Sequence, residues 1–175
     1  MKASSFRAQR RGGKGITTAV KDEDEIASIL STKNHNILLF FTNTGRVFRL
    51  PTYEIPEMQR TAKGQPIVQS FALAKDESVS AILDLTNTTG KHLFLISAMG
   101  VVKRIDMSEI ANIRASGLIV MKPHDGDTLR WVRITDGTDN ILMVSRGGKA
   151  IQFPETDVRV MGRAAAGVRG MKVAK

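Results

Sequence analysis

A period of about fifty residues constrains this chain more than any other feature, because each round carries the same turn and connector signals. The turn glycines Gly45, Gly100 and Gly148 are followed nine residues later by Glu54, Glu109 and Asp157. An aliphatic residue comes after each acid: Ile55, Ile110 and Val158. Arg60, Arg114 and Arg163 lie 15, 14 and 15 residues beyond the three glycines. Gly64, Gly117 and Gly167 then close each connector. Arg11 and Gly15 stand in the same relation, so the arginines recur at steps of 49, 54 and 49 residues.

Each round holds four short apolar or β-branched runs. The first has 16–20, 26–30, 37–42 and 46–50, and the second has 65–68, 77–85, 92–97 and 101–105. The third has 118–121, 129–135, 141–145 and 149–153. Run 37–42 is continuously apolar before its final threonine, which predicts a strand buried on both faces. No stretch sustains a 3.6-residue periodicity, and Pro56 would break a helix begun at Tyr53. The spacing therefore predicts an all-β fold, a propeller-like array of four-stranded blades. The expected repeats are 9–59, 60–113 and 114–162, with 163–175 opening a fourth, all in one domain. A β-sandwich also has short strands and frequent turns, but it requires no such repeat.

The first connector is the most basic and glycine-rich of the four. Gln9, Arg10, Arg11, Gly12, Gly13, Lys14 and Gly15 place three cations and three glycines in seven residues. Glycines leave backbone amides uncovered, and the cations beside them favour an anionic chain such as phosphate. It is not a nucleotide P-loop, because Ala8 replaces the first glycine and Gly15 the Ser or Thr that would hold magnesium. The whole chain has a formal net charge of +9, which suits a polyanionic partner. No apolar run reaches the ~18 residues of a membrane span. The absence of cysteine excludes disulfides and thiolate metal sites. No apolar segment follows the first five residues, so no secretory leader is expected, and the expected location is cytoplasmic and nucleoid-associated.

Cations recur near the hairpin turns as Arg46 and Arg49, Lys103 and Arg104, and Arg146 and Lys149. The connectors add Arg60, Lys63, Arg114, Arg159, Arg163 and Arg169. Blades around an axis would set these residues on one curved track along a duplex backbone, reading phosphate and not base edges. Phe40, Phe41, Phe48 and Phe94 fall in strand patterns and are expected in the core. Trp131 is expected to pack as well, leaving no stacking platform for single strands. The only tyrosine, Tyr53, lies in a connector, and His35, His92 and His124 are dispersed loop positions. These residues form no catalytic or metal-binding set, and no cofactor is expected. The acids at 22–25, 76–77, 125 and 127 recur before each second run and are read as turn chemistry.

The heptapeptide 9–15 resembles the signature loop of the C-terminal domain of the DNA gyrase A protein. Stretches 38–42, 45–47, 53–57 and 157–163 are similar to the same family, and the similarity covers almost the whole chain. The corresponding domains of topoisomerase IV resemble it too, but usually carry a degraded loop. The resemblance implies a β-pinwheel in which neighbouring blades exchange strands and duplex DNA wraps the outer rim. The wrap presents a positive crossing, and strand passage then leaves negative supercoils. It implies partnership with the rest of gyrase A and with gyrase B in the holoenzyme, no membrane, and no catalytic residue here. Such a domain has about six blades, and closed propellers need at least about four. Three rounds and the start of a fourth are therefore expected to be a fragment of a longer subunit or an unusually short version of the domain, whose open edges offer pairing to a second copy. A propeller serving as a protein-interaction platform is the reading from a different functional class.

Overall fold

A computed structural model describes residues 1–13, 15, 25–59, 61–85 and 90–173. The expected run 16–20 and the acids at 22–24 lie outside the described residues. Among the described residues ten strands form three antiparallel sheets. Strands β1 (Ile37–Thr42) and β2 (Arg46–Pro51) make the first hairpin. Strand β3 (Val79–Asp84) follows, then the second hairpin of β4 (His92–Ser97) and β5 (Val101–Asp106). Next come β6 (Leu118–Ile119) and β7 (Leu129–Thr135). The third hairpin is β8 (Asn140–Val144) with β9 (Ala150–Pro154), and β10 (Val168–Arg169) is last. Among the described residues the only helices are 3-10 turns, and none is long and apolar enough to cross a membrane.

The sheets do not coincide with the sequence repeats. The first has the order β3-β1-β2-β6 and the second β10-β5-β4-β7. The first hairpin thus takes a full strand from the second round on one side and a two-residue strand from the third on the other, and the second hairpin does the same one round later. This is the strand exchange expected of a pinwheel. The exchange buries the hairpin tips. The Gly45 carbonyl accepts from the Val120 and Met121 amides, and the Gly100 carbonyl from the Gly170 and Met171 amides. A Cβ on Gly45 would sit 2.2 Å from the Met121 carbonyl oxygen, so glycine is required there by contact as well as by its φ of 82°.

Strand β1 is buried along almost its whole length, as its apolar run predicts. Its side chains alternate between two clusters. Leu39 and Phe41 pack with Val47, Leu93, Leu95, Ile105 and Leu129 between the first and second sheets. Leu38 and Phe40 face the other way, with Phe48 and Leu50. A third cluster of Phe94, Val102, Met143, Val158 and Met161 joins the second hairpin to the third. Phe40, Phe41, Phe48 and Phe94 are all core residues, as expected.

Three expectations need correction. Residues 65–68 form no strand; Ile67–Gln69 is a 3-10 turn. Pro66 has no N–H to give a ladder. The chain beyond it instead sets the Phe71 ring 4.9 Å from those of Phe40 and Phe48. Trp131 is not packed but 52% exposed, because β7 is an edge strand whose register against β4 shifts between Ile96 and Ser97. His92 is not a loop residue but the first of β4, opposite Asp106 and Thr135.

Candidate nucleic-acid interface

The glycine-rich loop at 9–15 is held by its own atoms. The Gly13 amide donates to the Arg10 carbonyl at 3.0 Å, closing a tight turn. The Gly15 amide donates to the Gln9 Oε1 at 2.8 Å. Gly12 and Gly15 have φ of 82° and 76°, and a Cβ on Gly13 would lie 2.6 Å from that same Oε1. Glycine at these places lets the backbone curl around the Gln9 carboxamide while Arg10 and Arg11 stay exposed. Gln9 is therefore the internal clasp of the loop. Lys14 lies outside the described residues.

The other connectors repeat that turn. The Ala62 amide donates to the Gln59 carbonyl, Gly117 to Arg114, and Ala165 to Gly162. In the third connector Arg114 starts the turn, whereas Arg11 and Arg163 stand second in theirs. The shorter glycine spacing there accounts for the offset. Arg60 lies outside the described residues; Lys63 and Arg114 are exposed. Arg163 is exposed too, with its Nε 3.0 Å from the Glu109 carboxylate. Arg49 faces solvent from β2, and Arg146 and Lys149 flank the third hairpin turn.

Three of the expected track residues are engaged elsewhere. Lys103 is fully buried, and its ammonium donates to the carbonyls of Val120, Arg163 and Ala165, each at 2.7 Å. Counted from the turn glycine, it takes the place of Phe48, a core position, and not that of Arg46 or Arg49. Burial pushes its pKa down to about 8, while the Glu109 charge pulls upward. Arg104 is also buried, with its guanidinium 3.5 Å from the Glu155 carboxylate. Arg46 is half-buried. It donates to Glu77 at 2.7 Å and to the Ser116 carbonyl, and lies 4.7 Å over the Phe48 ring. Lys149 is its counterpart in the third hairpin. It remains exposed because no later segment crosses that hairpin among the described residues.

Two acids do more than shape turns. Glu77 accepts from Thr42, Thr44, Arg46 and the Ala74 amide. Burial raises its pKa, but these hydrogen bonds and the Arg46 charge outweigh that and hold it below the usual carboxylate value. Glu155 is buried in the same manner. Burial is outweighed by Thr135, the Asp139 and Gly137 amides and the Arg104 charge. Asp136 and Asp139 bring carboxylate oxygens close to Glu155. The Glu155 oxygens, however, already accept from Thr135, Gly137 and Asp139.

The sequence reading missed Arg130 and Arg133, which flank Trp131 and are exposed on β7. Their exposure follows from the sheet order, in which β7, like β3 in the first sheet, is the outer strand. The exposed cations are therefore divided among a clasped loop, the connector turns, one face of β2, the outer strand β7 and the third hairpin tip. Such a set presents many separate positive charges to solvent rather than one concentrated charge centre.

A family model described as the DNA gyrase C-terminal domain, a β-propeller, matches residues 1–33, 36–84, 91–136 and 139–175. The DNA gyrase A protein of Halalkalibacterium halodurans is 44% identical over 170 residues, covering 96% of this chain and 20% of that protein. The DNA gyrase A protein of Streptococcus pyogenes serotype M1 is 46% identical over 163 residues, covering 91% and 20%. The chain thus spans about a fifth of the length of these curated relatives. A solved DNA gyrase A C-terminal domain superposes with a TM-score of 0.78 at 27% identity, covering 100% of this chain and 57% of that one. The C-terminal domain of a DNA topoisomerase IV gives 0.76 at 27% identity, covering 90% and 49%.

Proposed function

The chain belongs to the DNA gyrase C-terminal domain family, and on that premise we propose that it binds duplex DNA along its exposed cations and bends it around the outer edge of the sheets. It carries out no chemistry itself. Within the gyrase holoenzyme, alongside the rest of gyrase A and gyrase B in the cytoplasm, the bent segment is presented for strand passage, which leaves negative supercoils. The observation that supports this most is the recurrence of one turn, in four connectors, with exposed arginine at Arg10, Arg11, Arg114 and Arg163.

The contacting set is Gln9, Arg10, Arg11, Gly12, Gly13, Lys14 and Gly15 of the loop, with Arg49, Arg60, Lys63, Arg114, Arg146, Lys149 and Arg163. Arg130 and Arg133 join it. Lys103 and Arg104 do not, and Arg46 serves the frame. Curving 20–30 bp by 40–90° costs on the order of 1–6 kcal/mol, so several phosphate contacts are needed to offset it. If six to eight phosphates are neutralised, affinity falls roughly a thousandfold or more between 50 and 200 mM salt. Titration of the chain onto a mixed-sequence duplex across that range tests the reading. A salt slope near zero contradicts it.

A protein-interaction platform is the second reading. It is favoured by exposed Trp131 between two arginines, a combination common at protein interfaces. That reading predicts duplex binding insensitive to loss of the connector arginines.

A further inference from the structure

The acid nine residues after each turn glycine recurs in all three rounds, as Glu54, Glu109 and Asp157. In the second round it meets a connector arginine. The Glu109 carboxylate lies 3.0 Å from the Nε of Arg163. Both ends of this ion pair are fixed to the frame. Glu109 sits in the 3-10 turn Met107–Ile110, which ends on the buried Ile110. The Asp106 side chain caps that turn by accepting from the Ser108 amide at 2.8 Å. On the other side, the Arg163 carbonyl accepts from the buried Lys103 ammonium at 2.7 Å. The Ala165 amide closes the turn on the Gly162 carbonyl.

The pair engages one nitrogen of the guanidinium. Arg163 remains exposed, and among the described residues its two terminal nitrogens have no protein acceptor. Arg114 is the contrast. It opens its turn, so the second place, where Arg163 stands in the fourth connector, holds Ala115. Among the described residues no carboxylate lies within ion-pair distance of Arg114. A long side chain loses rotamer freedom when a phosphate immobilises it, and one already held has less to lose.

We propose that Glu109 is a positioning residue for DNA, clamping the Arg163 guanidinium at Nε so that its terminal nitrogens are set for a phosphate. Arg114, with no such partner, is ordered only on binding. The inference rests on the reading that the exposed cations bind duplex DNA. Glu109 touches no DNA itself; clamp and phosphate share one cation. Burial disfavours the charged form of Lys103, and the Glu109 charge opposes that. One carboxylate therefore supports the connector at its backbone as well as at its side chain.

A double-mutant cycle on duplex affinity at low salt tests the proposal, with the 175-residue chain and its Glu109→Ala, Arg163→Ala and combined variants. Removing a carboxylate tightens binding to any polyanion and also weakens the support of Lys103. Both effects occur with and without Arg163, so they cancel in the cycle. The gain from Glu109→Ala is expected to be about two- to fivefold smaller with Arg163 present than in the Arg163→Ala background, the worth of an exposed ion pair. Equal gains overturn the clamp. A larger gain with Arg163 present means that Glu109 competes with phosphate for the guanidinium, which overturns it too. Nitrogen relaxation at the Arg163 Nε reads the clamp without DNA. Its mobility rises in Glu109→Ala, and unchanged mobility overturns the proposal. A parent salt slope near zero removes the DNA reading and the clamp together, whereas a steep slope with an additive cycle removes the clamp alone.

Discussion

The Lys103 ammonium lies 2.7 Å from the Ala165 carbonyl oxygen and ties a strand of the second sheet to the turn that opens the fourth round. Two more carbonyls, of Val120 and Arg163, complete its acceptors. Lys103→Met keeps the stem and removes every donor. Each buried acceptor left unpaired costs roughly 1–3 kcal/mol before relaxation. A lowered urea midpoint is the expected result, with the salt slope of DNA binding unchanged. A reduced slope would return Lys103 to the DNA-contacting set.

Glu77 should set the acid limit of stability. Its folded pKa is lowered, so the unfolded chain takes up a proton first as pH falls. The stabilisation is present above the usual carboxylate value near ~4.3 and is lost as pH drops through the lower, folded value. Glu155 acts in the same direction. Glu77→Gln leaves Arg46 without its ion pair and is expected to cost about 3 kcal/mol at neutral pH, toward the lower end for a broken buried pair. Its urea midpoint then changes less between neutral and acidic pH than the parent's. Parallel curves would show that Glu77 titrates as it does in the unfolded chain.

Most of the frame was legible in the sequence, because the turn glycines and apolar runs report backbone geometry and burial directly. All three hairpins lie where their glycines placed them. The exchange of strands was not readable from spacing, since a repeat fixes what each round contains and not which sheet receives it. The roles of Lys103 and Arg104 were hidden for another reason. A cation in a strand beside a turn reads as surface until its acceptors are known, and Val120, Arg163, Ala165 and Glu155 all come from the third round or later. Trp131 misled in the opposite direction, because a large aromatic in a strand reads as core unless that strand is known to be an edge.

Gln9→Ala separates shape from charge in the first connector. It removes the Gly15 amide's acceptor without altering net charge. The expected outcome is a nearly unchanged affinity for short linear duplex, together with a much smaller topological change on circular DNA. Equal loss in both assays would make the loop an ordinary phosphate contact.

Exposed and buried arginines should part in salt titrations. Arg49→Ala and Arg114→Ala each remove one phosphate contact and lower the magnitude of the log–log salt slope by about 0.9. Arg104→Ala leaves the slope alone and lowers stability, because Glu155 loses its ion-pair partner. The reverse pattern would place the DNA on a different surface.

The most direct measurement is topological. Relaxed circular DNA is incubated with the 175-residue chain, closed by a nicking-closing enzyme and stripped of protein. A defined, concentration-dependent change in linking number is predicted, abolished by joint replacement of Arg10, Arg11 and Lys14 with Ala. An unchanged linking number under conditions where the chain demonstrably binds the circle would contradict the account.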